Sequence, residues 1–203
     1  MTTRKKITDE PDGATPLEPE ELEGLIHQQV RTRSQLDQVE QINILEGFRW
    51  LGNKKNQGPL TEAFVLEVHK KLFGQVWIWA GKFRKTEKNI GCDPLQIAIQ
   101  LRQLLDNTNY WIEHQTYKPL EIAARFHHGL VKIHPFSNGN GRHARIIADA
   151  LLAHTMKQKP IDWAGGQDLQ NESERRKTYI AALRAADGQD YDPLLLFVGS
   201  KTS

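Results

Sequence analysis

A chain of 203 residues with 38% hydrophobic and 26% charged side chains can bury one sizeable core, which argues against a disordered polypeptide and against an integral membrane protein. Twenty-seven Lys and Arg against 25 Asp and Glu leave a formal net charge of +2, too small an excess to favour nucleic acid as a direct partner. The single cysteine, Cys92, excludes an internal disulfide, offers no zinc spacing, and fits a reducing, cytoplasmic setting.

Met1 to Pro19 carries Arg4, Lys5 and Lys6 without a following apolar stretch, so it is expected to be a flexible tail rather than a secretory signal. Helical periodicity dominates the rest of the chain. Residues 20–53 are expected to form N-terminal helices. The first spans about Pro19 to Val30, and the second is capped by Ser34 and runs to about Leu51, with Leu36, Val39, Ile42 and Leu45 as its stripe. Asn53 to Pro59 reads as a polar loop, and Thr61 opens a helix with Phe64, Val65, Val68 and Leu72 inward. The core domain is expected to span 54–203.

Gly74 to Pro94 holds Trp77, Trp79, Gly81, Phe83, Ile90 and Gly91 without a helical period. It is expected to form an irregular segment with a short hairpin, and its length marks it as functional. Helices are expected again over Pro94–Trp111, Pro119–Ile133, Arg142–Met156 and about Glu172–Ala186, with an apolar cap at Pro193–Val198. The fold class is therefore all-α, a single domain with a strand-poor flap.

The run His134-Pro135-Phe136-Ser137-Asn138-Gly139-Asn140-Gly141-Arg142-His143-Ala144-Arg145 lies between two apolar helices. Glycines allow a tight turn and close ligand approach. The N-terminus of the following helix presents unpaired N–H groups and partial positive charge, a site suited to phosphate. Arg142 and Arg145, three residues apart, can share one side of its first turn and suit a di- or triphosphate. His134, at the other rim, has the intrinsic basicity to take a proton near neutral pH. The combination points to activation of a hydroxyl for attack on phosphorus.

This run resembles the Fic family signature, His-Pro-Phe-x-(Asp/Glu)-Gly-Asn-Gly-Arg-x-x-Arg. Trp79-Ala80-Gly81 with Arg84, Asn89-Ile90-Gly91, Tyr179 with Ala182-Leu183, and the closing Pro193-Leu194 with Phe197 resemble other parts of that family. Glu40-Gln41-Ile42-Asn43-Ile44 and Glu87-Lys88-Asn89-Ile90-Gly91 are similar to the subgroup called mobile mystery protein B. The resemblance implies a helical bundle with a short β-hairpin flap and protein adenylyl transfer from ATP with Mg²⁺. It implies His134 as general base, Gly139, Asn140, Gly141 and Arg142 on the phosphates, and Arg145 on the γ-phosphate. It also implies a flap (Thr86, Asn89, Ile90, Gly91) that docks the target protein as an added strand, Tyr179 on the adenine side, and a helix-turn-helix antitoxin-like partner. Asn138 stands where the family has an acidic metal ligand, and a neutral amide oxygen is a weaker ligand for a hard cation. The alternatives are therefore another phosphate-containing donor or nucleotide binding without transfer.

Many members of this family carry an inhibitory Ser/Thr-x-x-x-Glu-Gly/Asn helix. Ile42-Asn43-Ile44-Leu45-Glu46-Gly47 matches it in part, which leaves two readings of Glu46: an inhibitory residue in contact with Arg145, or a solvated helix residue. His127 and His128 are expected to divide between a packed and a solvated role. His143 falls at a variable position of the signature, and Trp77 and Trp79 are expected to anchor the core.

Overall fold

The computed structural model describes residues 17–54, 60–163 and 173–199. The expected tail up to residue 16, most of the loop before Thr61 and the start expected at Glu172 lie outside them.

The first helix, α1 (Pro19–Leu22), is a single turn. The longer helix expected from the periodicity is cut off because the chain pairs elsewhere: Leu25 bridges Trp77 antiparallel, Ile26 N–H donates to the Val76 carbonyl, and Ile78 N–H donates to that of Gly24. Helix α2 (Arg33–Asn53) begins at a capping box formed by Thr32 and Gln35 rather than at Ser34. Helix α3 (Glu62–Phe73) is capped by Thr61, as read from the sequence.

A 3₁₀ turn at Pro94–Gln96 leads into α4 (Ile97–Glu113). Helix α5 (Pro119–Ile133) has a proline in its first turn, where the missing N–H is harmless. Helix α6 (Asn140–Ala150) passes directly into a π-helical turn, Leu151–Thr155, where the sequence suggested unbroken α-helix. Helices α7 (Glu174–Asp187) and α8 (Asp192–Phe197) close the described chain.

Helices α5 and α6 are the centre of the bundle. Phe126 and Leu130 of α5, Ile147 of α6 and Leu151 beyond it are fully buried, together with Val65, Val68 and Leu72 of α3 and Leu101 of α4. Each such side chain contributes roughly 1.5–3 kcal/mol by leaving water. Leu36, Ile44 and Leu51 of α2 belong to the same core, so the N-terminal helices are integral to the bundle. The 85–93 stretch forms no paired strands. The hairpin expected there is replaced by an irregular flap tied down by side-chain bonds. Among the described residues no helix is long and apolar enough to cross a membrane.

Candidate functional site

The centre of the bundle delivers the signature run to one end. Helix α5 stops at His134, whose backbone is left-handed (φ 55°, ψ 60°) and whose N–H still bonds the Leu130 carbonyl at 3.0 Å. A non-glycine residue in this conformation, immediately before proline, is strained. The surroundings enforce it, as is usual where strain serves a site.

His134 is 5% exposed. Burial, and secondarily the positive charge of Arg84, holds its pKa down to about 4 against an opposing hydrogen bond to the Val131 backbone. The imidazole is therefore neutral at physiological pH and able to accept a proton.

Phe136 is fully buried and stacks on His69, with ring centroids 3.6 Å apart. Asn140 closes the loop over it. Asn140 Oδ1 accepts from Phe136 N–H at 2.9 Å, and Asn140 Nδ2 donates to the Phe136 carbonyl at 2.7 Å. With its side chain engaged at both ends, Asn140 holds the loop backbone closed at the start of α6. Gly139 is the left-handed N-cap of α6 (φ 77°), and a Cβ there would meet the Phe73 ring at 2.8 Å. The helix start thus carries a glycine because neither the dihedral nor the space admits a side chain.

The two arginines separate. Arg145 points back along α6: its Nη1 lies 3.6 Å from where a Cβ of Gly141 would stand, at the mouth of the anion site. Tyr179 props it, through a cation–π contact of 5.7 Å and a hydrogen bond. The Tyr179 hydroxyl also meets His127 Nε2 at 2.9 Å. Tyr179 is buried, and its observed contacts make it a support for Arg145. Asp149, one turn further, takes hydrogen bonds from Ile161 N–H and the Trp163 indole at 3.0 Å each. Burial raises its pKa to about 6.

Arg142 turns instead to α2. Its Nη1 lies 2.5 Å from Glu40 Oε2, while Glu40 Oε1 accepts from the Trp77 indole at 2.7 Å. Phe73 lies under the guanidinium at 4.9 Å. Of the two readings of Glu46, the structure has the solvated one. The residue is exposed on α2 and bonded to Gln75, and it does not contact Arg145. Glu40 lies six residues earlier, so it falls on a different face of the helix from Glu46 and is the one that meets an arginine.

Asn138 does not match a metal ligand. Its Oδ1 accepts from Gly139 N–H at 2.6 Å, turned into its own loop, and the amide brings no charge. Among the described residues no group of three His, Cys, Asp or Glu could hold a metal ion. The residues present therefore do not fit a protein-held Mg²⁺.

The roles of three participants escaped the sequence reading. His69, fully buried on α3, accepts from Gly81 N–H at 3.0 Å through Nδ1 and meets the Asn138 carbonyl at 3.1 Å through Nε2. Its signal was a histidine at a position of α3 that turns inward. Glu21 of α1 is buried against the flap, paired with Lys88, accepting from Thr86 Oγ1 at 3.2 Å and bonded to Ser137. Burial alone would raise its pKa, but these bonds together leave it lowered. Arg84, 3% exposed, is the third. Of the expected docking residues, Thr86, Asn89, Ile90 and Gly91 are exposed along the flap. His128 is buried and bonded to Asp187 and Tyr191. His143 is buried on the Val65 carbonyl.

Residues 59–152 match the Fic/DOC family. Proteins named protein adenylyltransferase Fic from Aedes aegypti and Nematostella vectensis are 29% and 26% identical over 70% and 84% of this chain. The chain spans only 28% and 39% of those relatives. The structure of Fic-1 from C. elegans superposes with a TM-score of 0.62 at 25% identity, covering 87% of this chain and 50% of that one. The effector BepC of Bartonella tribocorum, solved with AMPPNP bound, gives 0.67 at 17% identity, covering 89% and 96%. Residues 59–152, the signature loop among them, thus match the Fic/DOC family as a domain within this chain.

Proposed function

We propose that this chain transfers AMP from ATP to a serine, threonine or tyrosine hydroxyl of a target protein. The observation that carries the proposal is a neutral, buried His134, held on a strained turn, opposite a helix N-terminus whose mouth is lined by Gly139, Gly141 and Arg145. The relatives' name, protein adenylyltransferase, and the AMPPNP bound by BepC support ATP as donor.

In this reading the α6 backbone amides hold the phosphates and Arg145 draws the terminal ones back. The target hydroxyl oxygen forms a bond to the α-phosphorus as the bond to the β-phosphate bridging oxygen breaks. Pyrophosphate leaves with those electrons, and the hydroxyl proton passes to His134. Any divalent cation accompanying ATP is held by the phosphates, since the protein offers no carboxylate at residue 138.

The protein, incubated with a lysate and ATP labelled at the α- or the γ-phosphate, is expected to incorporate only the α-label. His134→Ala is expected to reduce incorporation by about 10²–10⁴-fold while leaving nucleotide binding intact. Incorporation of the γ-label would overturn the reading. The Arg142–Glu40 pair favours a second one, nucleotide binding without transfer, which binding in the absence of any covalent label would support.

A further inference from the structure

The structure assigns Arg84 as the positioning residue that makes the flap and the catalytic base one mechanical unit, a role that rests on the adenylyl-transfer reading above only for its effect on rate. Its guanidinium serves three carbonyls from separate points of the chain. Nε donates to His134 O at 2.7 Å, Nη1 to Thr86 O at 2.7 Å, and Nη2 to Cys92 O. Thr86 and Cys92 are the two ends of the flap, and His134 is the base. The main chain follows the same path: Arg84 N–H donates to Pro135 O at 2.9 Å and Cys92 N–H to Ile133 O at 3.3 Å.

A guanidinium is planar and rigid, so the three acceptors must lie around one plane, and moving any of them disturbs the other two. The flap has no strand pairing of its own, so this fork does the work a ladder would do. Gly91 is an independent sign of the design. A Cβ there would meet Arg84 Nη2 and the His134 Cβ at 2.7 Å each, and its φ is +107°. The flap glycine is thus required by closure over the clamp. A target segment docking on Thr86 to Gly91 is thereby set in register with His134 by one side chain.

Arg84→Lys keeps the charge but loses the planar fork. It is expected to keep nucleotide affinity within about threefold and to lower kcat for α-label transfer about 100-fold, the scale of a small misplacement of reacting groups. Amide hydrogen exchange is expected to accelerate over 86–92 and 133–136 together in that variant. Gly91→Ala, which displaces the clamp without touching the guanidinium's charge, is expected to give the same paired acceleration should the lysine variant not fold. Acceleration of the flap alone, with 133–136 unchanged, would overturn the assignment, as would an unaltered kcat with the flap released. If the parent protein transfers no label, the exchange experiment still decides the coupling, so failure of the functional reading is seen separately.

Discussion

The two rims of the signature loop are built on opposite principles. On the base rim, Arg84 spends its charge on uncharged backbone carbonyls and fixes geometry. On the anion rim, Arg142 is neutralised by Glu40 and Arg145 is propped by Tyr179, so charge itself is what is being managed. The base is therefore held in one place by bonds that no substrate competes for. The cations are held by partners that an incoming triphosphate can compete with or exploit.

Acid should separate the rims most strongly. His134 and His143 have pKa values lowered to about 4 and His127 to about 3, all chiefly by burial. Their unfolded value is 6.5, so the stability they confer is fully present above that pH and is lost as pH falls towards 4 and below. His134 and His143 each contribute roughly 3 kcal/mol across that window and His127 roughly 5 kcal/mol. Urea unfolding at stepwise lower pH should show the loss, and imidazole NMR should show His134 of the base rim protonating before His127 of the anion rim. Protonation of His127 first would break the comparison.

Next in size is Glu40→Gln, which retains an acceptor for Trp77 but strands the Arg142 charge. It is expected to destabilise the fold by about 2–3 kcal/mol and, because Arg142 becomes available, to tighten ATP binding about tenfold, read by calorimetry. Unchanged affinity would move Arg142 from the anion site to the scaffold.

The smallest effect is expected at Asp149. Its raised pKa means that its charge costs stability at neutral pH, a cost relieved as pH falls through about 6 towards its unfolded value of 3.8. Asp149→Asn keeps an oxygen for Ile161 N–H and the Trp163 indole, so it should stabilise the protein at about pH 8 by about 1 kcal/mol, discounted for partial exposure. The gain should vanish by about pH 4.5. A uniform loss at both pH values would show that the carboxylate is needed beside Arg145.

Most helices were legible because burial imposes a period, and α5 was read with both ends correct; in α2 the expected stripe was misplaced, since Ile42 and Leu45 are 60% and 49% exposed while Ile44 and Leu51 are buried. Capping by Thr32 and the turn after Leu22 were less so, since they depend on partners at Gln35 and at Val76 to Ile78. The loop was legible as a run of residue types. What escaped was pairing at a distance. Glu46 carried the local pattern, but Glu40 has the arginine, 102 residues away. Arg84 escaped as a clamp because its partners are carbonyls, which every residue possesses and no sequence displays.

His69 has a consequence of the same kind. Accepting from one backbone N–H and meeting one carbonyl on its opposite nitrogen, its ring substitutes for a peptide group. It joins the turn at Gly81 to the loop at Asn138 as a single borrowed rung, in a place where neither segment has a neighbouring strand to supply one. The rung holds only while the imidazole stays in a single tautomer, with Nδ1 unprotonated to accept and Nε2–H donating.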